Sequence, residues 1–300
     1  MAMHEEAIDF VEGIDQDDTV LIVHHWDMDG SAAAAIMSRT LEEIRGAGAD
    51  EVMIPEDRKH QVGPGVERAV REENVSTLFV LDMSVPAARV AELAEEYDLD
   101  ILIIDHHDFD RVPEDAVFIN PRVDDDEAYI PAAKLCNDVA GEFGLDLDWI
   151  AGMGIIQDFA VEQCMEVFQR LQQIYPNYFP STLSQHRLAK KSRYGHYSTV
   201  LNIKPYRDTE HCAELAFEVL TEANGLKYLE SHEAYRELKE YYEEMNDEFE
   251  RVKERYEEER EVYEDVKLVF FEFESPFHIN SSVATQISLE QEDWVYVIAK

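Results

Sequence analysis

The sequence predicts an α/β protein: a doubly wound, largely parallel sheet, then a helical connector, then the start of a smaller C-terminal α/β segment. Three observations carry that expectation. Short continuous apolar runs rich in β-branched residues, at 19–23, 77–81 and 100–104, are bounded by charge, as strands buried on both faces of a parallel sheet are. Helical patterns alternate with these runs. Each run then ends in carboxylate or imidazole: His24-His25-Trp26-Asp27-Met28-Asp29-Gly30, then Asp82, then Asp105-His106-His107-Asp108. In open α/β sheets ligands bind beyond the carboxyl ends of the strands. An ionised carboxylate costs several kcal/mol to bury unless a cation or hydrogen bonds compensate. A polynuclear metal site would supply the cation.

Taken in order, a short helix over about 5–13 precedes the first strand. In the segment after that strand, extended backbone would turn His25, Asp27 and Asp29 to one face and Trp26 and Met28 to the other. Gly30 permits a tight turn and close approach of a ligand. Ser31 is a candidate N-cap for the alanine-rich helix through Ile36, whose N-terminus adds partial positive charge beside the site. A strand over 51–54 and a helix over 66–73 lead to the strand ending at Asp82. Pro86 suits the first turn of the next helix, which runs to about Tyr97. Residues 117–119 read as a further strand before Asn120-Pro121. Helices follow over 132–143 and from about 148 to 158, where Asp158 interrupts an otherwise apolar pattern and wants a partner; a metal ion is one candidate.

From Tyr175 to Arg207 the texture turns aromatic and basic, with Lys190, Lys191 and Arg193 at its centre and Lys204, Tyr206 and Arg207 at its end. Interleaved rings and cations suit a single strand, whose bases stack and whose phosphates need positive charge. A packed helical subdomain with solvated cations is the other reading. Residues 231–265 read as one long charged helix, a connector or a hairpin. Strand character resumes over 268–273, Ser281-Ser282 cap a short helix to about Leu289, and 294–299 reads as a last strand. The expected division is a catalytic domain over 1–195, a helical connector over 196–265 and a partial substrate-binding domain over 266–300.

Acidic residues number 66 and basic residues 26, for a formal net charge of −40. The excess is spread along the chain, so it describes a surface. Salt-loving cytosols favour such surfaces, since at roughly 1 M salt the Debye length is about 3 Å and self-repulsion is screened. A halophile's protein is the expectation, and an acidic protein with a basic partner the alternative. Cys136, Cys164 and Cys212 are odd in number, far apart and without a C-x-x-C, so neither a disulfide framework nor a zinc knuckle is indicated and reduced core thiols are expected. With no signal-peptide layout and no apolar run of membrane-spanning length, a soluble, cytoplasmic chain is expected.

The segment His25 to Gly30, Asp82, Asp105-His106-His107 and Asp158 form four motifs in one order. Together they resemble the catalytic domain of the DHH phosphoesterase superfamily, which includes RecJ-like exonucleases, nanoRNases, cyclic-dinucleotide phosphodiesterases and family II pyrophosphatases. Pro131-Ala132-Ala133-Lys134-Leu135 is similar to the helix that follows the third motif in RecJ-like relatives. With the acidic surface, the resemblance points to a haloarchaeal member.

The resemblance implies two divalent metal ions, Mn²⁺ foremost and Mg²⁺ as the alternative. By position it implies His25 and Asp27 on one ion and Asp29, His106 and Asp158 on the other, with Asp82 bridging. His107 would contact the phosphate or its leaving oxygen, and Asp105 would orient the imidazoles. Two ions about 4 Å apart clamp the attacking and departing oxygens and activate water at neutral pH. Carboxylate and imidazole without thiolate suit Mn²⁺ or Mg²⁺. The chain departs from the family pattern twice. Some relatives place the first histidine farther from the D-x-D pair, which leaves His24 as a rival to His25. The Gly-rich, His-containing C-terminal motif of relatives has no counterpart in 266–300.

The function expected from the resemblance is metal-dependent hydrolysis of single-stranded DNA or RNA from an end, as in RecJ-like exonucleases. A small-substrate phosphoesterase, acting on oligoribonucleotides, nucleoside bisphosphates or cyclic dinucleotides, is the alternative within enzymes. A non-catalytic replication scaffold is the alternative outside them, disfavoured because the ligand residues are all present. A replication or repair protein partner and a homodimer are compatible with each reading.

Overall fold

The computed structural model describes residues 2–55, 62–203, 208–277, 279–288 and 293–299. Lys204, Tyr206 and Arg207 of the basic stretch, and Leu289 at the expected end of the last helix, lie outside the described residues. The main sheet is five-stranded and all parallel, in the order β2-β1-β3-β4-β5. Its strands are β1 (Val20–His24), β2 (Glu51–Met53), β3 (Thr77–Leu81), β4 (Asp100–Ile104) and β5 (Val117–Ile119). β1 and β3 are buried at every position, which is why their sequences are unbroken apolar runs and not alternating ones.

Helices cover both faces. On one side α3 (Pro64–Glu73) and α4 (Ala87–Tyr97) bury Val66, Val70, Val90 and Leu93 against Leu21, Val23, Leu78, Val80 and Ile101. On the other, α1 (Ala2–Glu12), α2 (Met28–Arg45), α5 (Ala132–Glu142) and α6 (Asp148–Gln157) enclose the larger core. The four alanines at 32–35 are fully buried and let α2 pack closely against α5 and α6. Beyond them α7 (Met165–Ile174), α8 (Gln185–Lys191), α9 (Arg193–Leu201) and α10 (Thr209–Glu222) extend the same core. The boundary expected at 195 thus falls inside α9, whose Tyr194 and Tyr197 are buried with the residues before them.

The long helix α11 (Glu233–Glu259) ends earlier than the sequence suggests. Glu261–Tyr263, read as its last turn, is instead a strand, β6, antiparallel to β7 (Leu268–Glu272). β7 pairs in parallel with β8 (Val295–Ala299), and α12 (Asn280–Ser288) packs beside them on a separate small core with Val252 and Tyr256 of α11. Cys136, Cys164 and Cys212 are buried free thiols. Among the described residues no helix is long and apolar enough to cross a membrane.

Candidate metal centre

The strand order reverses direction at β1: the chain goes from β1 outward to β2, then returns to place β3 on the other side. Loops leaving adjacent strands at such a switch point diverge and open a crevice at the carboxyl edge. The last rung of the ladder aligns His24, Leu81, Ile104 and Ile119 across β1, β3, β4 and β5. One residue further on each strand gives His25, Asp82, Asp105 and Asn120. Their backbones continue the sheet's hydrogen bonding: His25 N–H donates to Leu81 O at 3.1 Å, Asp82 N–H to Ile104 O at 2.9 Å and Asp105 N–H to Ile119 O at 2.9 Å. Sheet register alone therefore lines up polar residues along one edge.

The segment after β1 differs from the extended alternation expected for it. β1 stops at His24, and Asp27 caps α2 by accepting hydrogen bonds from Asp29 N and Gly30 N, each at 3.1 Å. The cap is Asp27 and not Ser31, because the helix begins a turn earlier than the alanine run suggests. His25, Asp27 and Asp29 still converge, from a strand end, a cap and a first helical turn. Gly30 is required by this turn: a Cβ there would sit 2.2 Å from His25 O.

Asp29 is fixed from a second helix. Pro131, at the start of α5, offers no side-chain cap. The Asp29 carboxylate takes that role, accepting Ala132 N–H at 2.7 Å and Ala133 N–H at 3.0 Å. α6 then approaches through Gly154, where a Cβ would lie 2.7 Å from Asp29 Oδ1. Asp158 stands at the C-cap of α6, not within the helix.

These elements bring two donor triads together: His25, Asp27 and Asp82, and Asp29, His106 and Asp158. Asp82 joins them, since it also groups with His106 and His107. His25 Nδ1 is 2.8 Å from Asp27 Oδ2 and 3.4 Å from Asp82 Oδ2. His106 Nε2 is 3.2 Å from Asp82 Oδ1, 3.5 Å from Asp158 Oδ2 and 3.9 Å from Asp29 Oδ2. His107 Nδ1 lies 2.8 Å from Asp105 Oδ1 and 3.8 Å from Asp82 Oδ1. His24 stays out of the cluster; it is buried with Nδ1 2.7 Å from the carbonyl of His25.

The cluster has a floor and a mouth. The side chains of Asp29, Asp82 and His106 are at most 2 % exposed, whereas Asp27, Asp158 and His107 are 32 %, 20 % and 37 % exposed. Burial and the neighbouring carboxylates Asp82 and Asp158 push Asp29 well above the ordinary carboxylate range. Burial and Asp27 do the same to Asp82. Burial also raises Asp158, against the pull of His106. Burial would lower His25, but its hydrogen bonds to Asp27 and Asp82 outweigh that and raise it to about 9. The Asp105 carboxylate raises His107 in the same way.

Among the described residues the ion-pair partners of Asp29, Asp82 and Asp158 are all imidazoles, with no Lys or Arg. Asp82 also has a left-handed backbone, φ 60°, a conformation Asp tolerates better than most residues but still at a cost. So much buried negative charge, in a donor set of carboxylate and imidazole without thiolate, fits hard divalent cations.

A model of the DHH family, N-terminal domain, matches residues 19–176, the span that holds every residue of the cluster. The chain belongs to the DHH family. This DHH chain is 26 % identical over 166 residues to the single-stranded-DNA-specific exonuclease RecJ of Bacillus subtilis (strain 168), covering 52 % of the chain and 21 % of that protein. It therefore spans about a fifth of the length of that curated relative. In structure it is similar to an exonuclease RecJ bound to manganese, with a TM-score of 0.68 at 18 % identity, covering 100 % of this chain and 80 % of that one. It is also similar to CDC45 from Entamoeba histolytica, with a TM-score of 0.66 at 10 % identity, covering 99 % and 85 %. These two likenesses show the fold.

Outside the DHH match lie Lys190, Lys191 and Arg193. Lys190 and Lys191 are exposed at the end of α8. Arg193 pairs with Glu230 at 2.8 Å and stacks on Tyr178 and Tyr197. The rings around it are largely structural: Tyr194 is buried and donates to Trp149 O, and Tyr197 donates to Glu230.

Three residues of the DHH cluster's surroundings escape a reading by motif. Tyr129 donates its hydroxyl to Asp158 Oδ2 at 2.9 Å and sets its ring edge-on to His106, 5.0 Å between centroids. Asn120, fully buried, donates to His107 O at 2.9 Å and holds the DHH loop. Gly154 admits Asp29. Only Asn120 left a usable signal, as the polar residue directly after an apolar strand.

Proposed function

We propose that the chain is a divalent-metal-dependent phosphodiesterase that hydrolyses single-stranded nucleic acid from an end. The observation that carries this is the pair of adjoining donor triads at the carboxyl edge of the sheet, with Asp82 of the first 3.2 Å from His106 of the second. In this reading His25 and Asp27 would hold one ion and Asp29, His106 and Asp158 the other, with Asp82 available to both. Bound there, two ions, Mn²⁺ or Mg²⁺, supply Lewis-acid stabilisation of the phosphate and an activated water. The relatives support the assignment: the curated one is a single-stranded-DNA-specific exonuclease and the structural one is an exonuclease RecJ bound to manganese.

The chain's own residues do the positioning. Asp105 accepts from His107 Nδ1, which fixes the partly exposed ring and favours an imidazolium for contact with a phosphate or its leaving oxygen. Asn120 prevents that loop from withdrawing. The N-terminus of α5 and Gly154 hold Asp29 in place. Tyr129 turns Asp158 toward His106.

A second reading, hydrolysis of short oligonucleotides or small phosphodiesters, is favoured by one observation: Arg193 is engaged by Glu230, which thins the basic track a long strand would follow. The test is digestion of 5′- and 3′-labelled DNA and RNA of graded length in Mn²⁺ over a range of KCl, with Asp82→Asn beside the parent chain. At least about a hundredfold loss in the variant is expected, with its fold retained. Turnover by Asp82→Asn equal to the parent's would overturn the assignment.

A further inference from the structure

Directly after the cluster carboxylate Asp158 stands a residue that the fold does not ask for. α6 ends at the C-cap Asp158, after which Ala160 N–H donates to Ile155 O at 3.0 Å and Phe159 N–H to Ile156 O at 3.3 Å. This pair of bonds is a Schellman motif, and its left-handed position, φ 57°, is held by Phe159. Glycine is the usual occupant, because a Cβ is unfavourable in that conformation. A phenylalanine there is strained, and the residue is 75 % exposed, so it gains little from burial. Among the described residues Phe159 makes no ring contact, whereas Trp26, beside Asp27, lies against His25 at 5.2 Å.

Strain and exposure at one residue, adjoining a cluster carboxylate, call for a ligand-side explanation. Phe159 follows Asp158 directly, about 3.8 Å away along the backbone, and Asp158, like Asp27 and His107, is partly open to solvent. Among the described residues, Arg122 is paired with Asp108 and Lys134 with Asp138. A chain of net charge −40 cannot draw in a polyanion by long-range attraction. A neutral ring that stacks on a base gives affinity without positive charge, and does so for any base.

We infer that Phe159 is a stacking platform for the nucleobase of the nucleotide whose phosphate enters the cluster, which makes base-bearing phosphodiesters the preferred substrates over base-free ones. The inference rests on the proposed phosphodiesterase reading. Its test compares oligodeoxynucleotides ending in adenine with the same oligomers ending in an abasic residue, by KM in Mn²⁺ and by fluorescence anisotropy in Ca²⁺. The parent chain should favour the adenine end by about 5- to 100-fold, the range one base–ring stack spans. Phe159→Gly, which suits the motif better and so keeps the fold, should bring that ratio close to one. Phe159→Trp should keep it.

A parent chain without the preference, or a Phe159→Gly chain that retains it, would overturn the inference while leaving hydrolysis standing. If the parent cleaves neither oligomer but binds the adenine end in a ring-dependent way, the phosphodiesterase reading falls and the platform remains. Failure to bind or cleave either oligomer would remove both.

Discussion

Replacing Gly154 with alanine tests whether α6 is placed for the sake of Asp29. In a helix interior, alanine for glycine ordinarily stabilises by about 1 kcal/mol. At Gly154 the added Cβ would lie 2.7 Å from Asp29 Oδ1, 2.9 Å from Ala133 Cβ and 3.1 Å from Asp29 Cα. Neither neighbour yields readily, because Asp29 is tied to two N–H groups of α5 and Ala133 belongs to that helix. Overpacking of this kind costs about 1–3 kcal/mol, so the net change runs from about zero to about 2 kcal/mol destabilising. The larger effect is on the site: moving Asp29 should weaken Mn²⁺ binding by about tenfold or more. Gly141, near the end of α5, is the control, since a Cβ there meets nothing within 4 Å. Thermal unfolding in EDTA and in Mn²⁺, with calorimetric Mn²⁺ titration, reads both quantities. Gly141→Ala should raise Tm and leave the titration alone. If Gly154→Ala stabilises as much as the control and binds Mn²⁺ like the parent chain, the reasoning about Asp29 is wrong.

Further predictions concern the groups around the cluster. Tyr129→Phe removes the hydroxyl that turns Asp158, and Mn²⁺ affinity should fall about 10- to 100-fold with the fold intact; an unchanged titration would demote Tyr129 to packing. The metal-free chain should lose stability as pH rises. His25 is raised from 6.5 to about 9, so its contribution, on the order of 3 kcal/mol, is whole below about 6.5 and gone once pH passes about 9. Asp29 and Asp82, also raised, lose in the same direction above their ordinary range. Tm in EDTA between pH 6.5 and 9.5 measures this, and a flat or rising curve contradicts it. Mn²⁺ should reverse the trend, because protons and metal compete for the same donors. Charge reversal at Lys190 and Lys191 should weaken long substrates more than dinucleotides, and equal effects on both would remove those lysines from any strand track.

What was legible in the sequence was what burial and register decide. Strands buried on both faces must be unbroken apolar runs, and the residue following each run must fall on the carboxyl edge, so His25, Asp82 and Asp105 could be placed without coordinates. Less visible was how Asp27 and Asp29 converge: a helix cap and a strand alternation share the same D-x-D spacing, and only the position of the first helical hydrogen bond separates them. Glu261-Val262-Tyr263 passed for helix because an exposed, charged strand has no apolar periodicity of its own and is specified by its pairing with β7. The rings between Tyr175 and Tyr197 looked like a surface for bases, yet composition does not distinguish an exposed tyrosine from one, like Tyr194, that fills a core. Tyr129 and Gly154 act through residues 29 and 125 positions away along the chain, and a single sequence holds no mark of such contacts.

The central claim is that two triads linked through Asp82 hold two divalent ions. Anomalous diffraction from crystals grown in Mn²⁺ tests it most directly. Two peaks are predicted, one among His25, Asp27 and Asp82 and one among Asp29, His106 and Asp158, with Asp82 touching both. Peaks elsewhere, or none within these triads, would contradict the account.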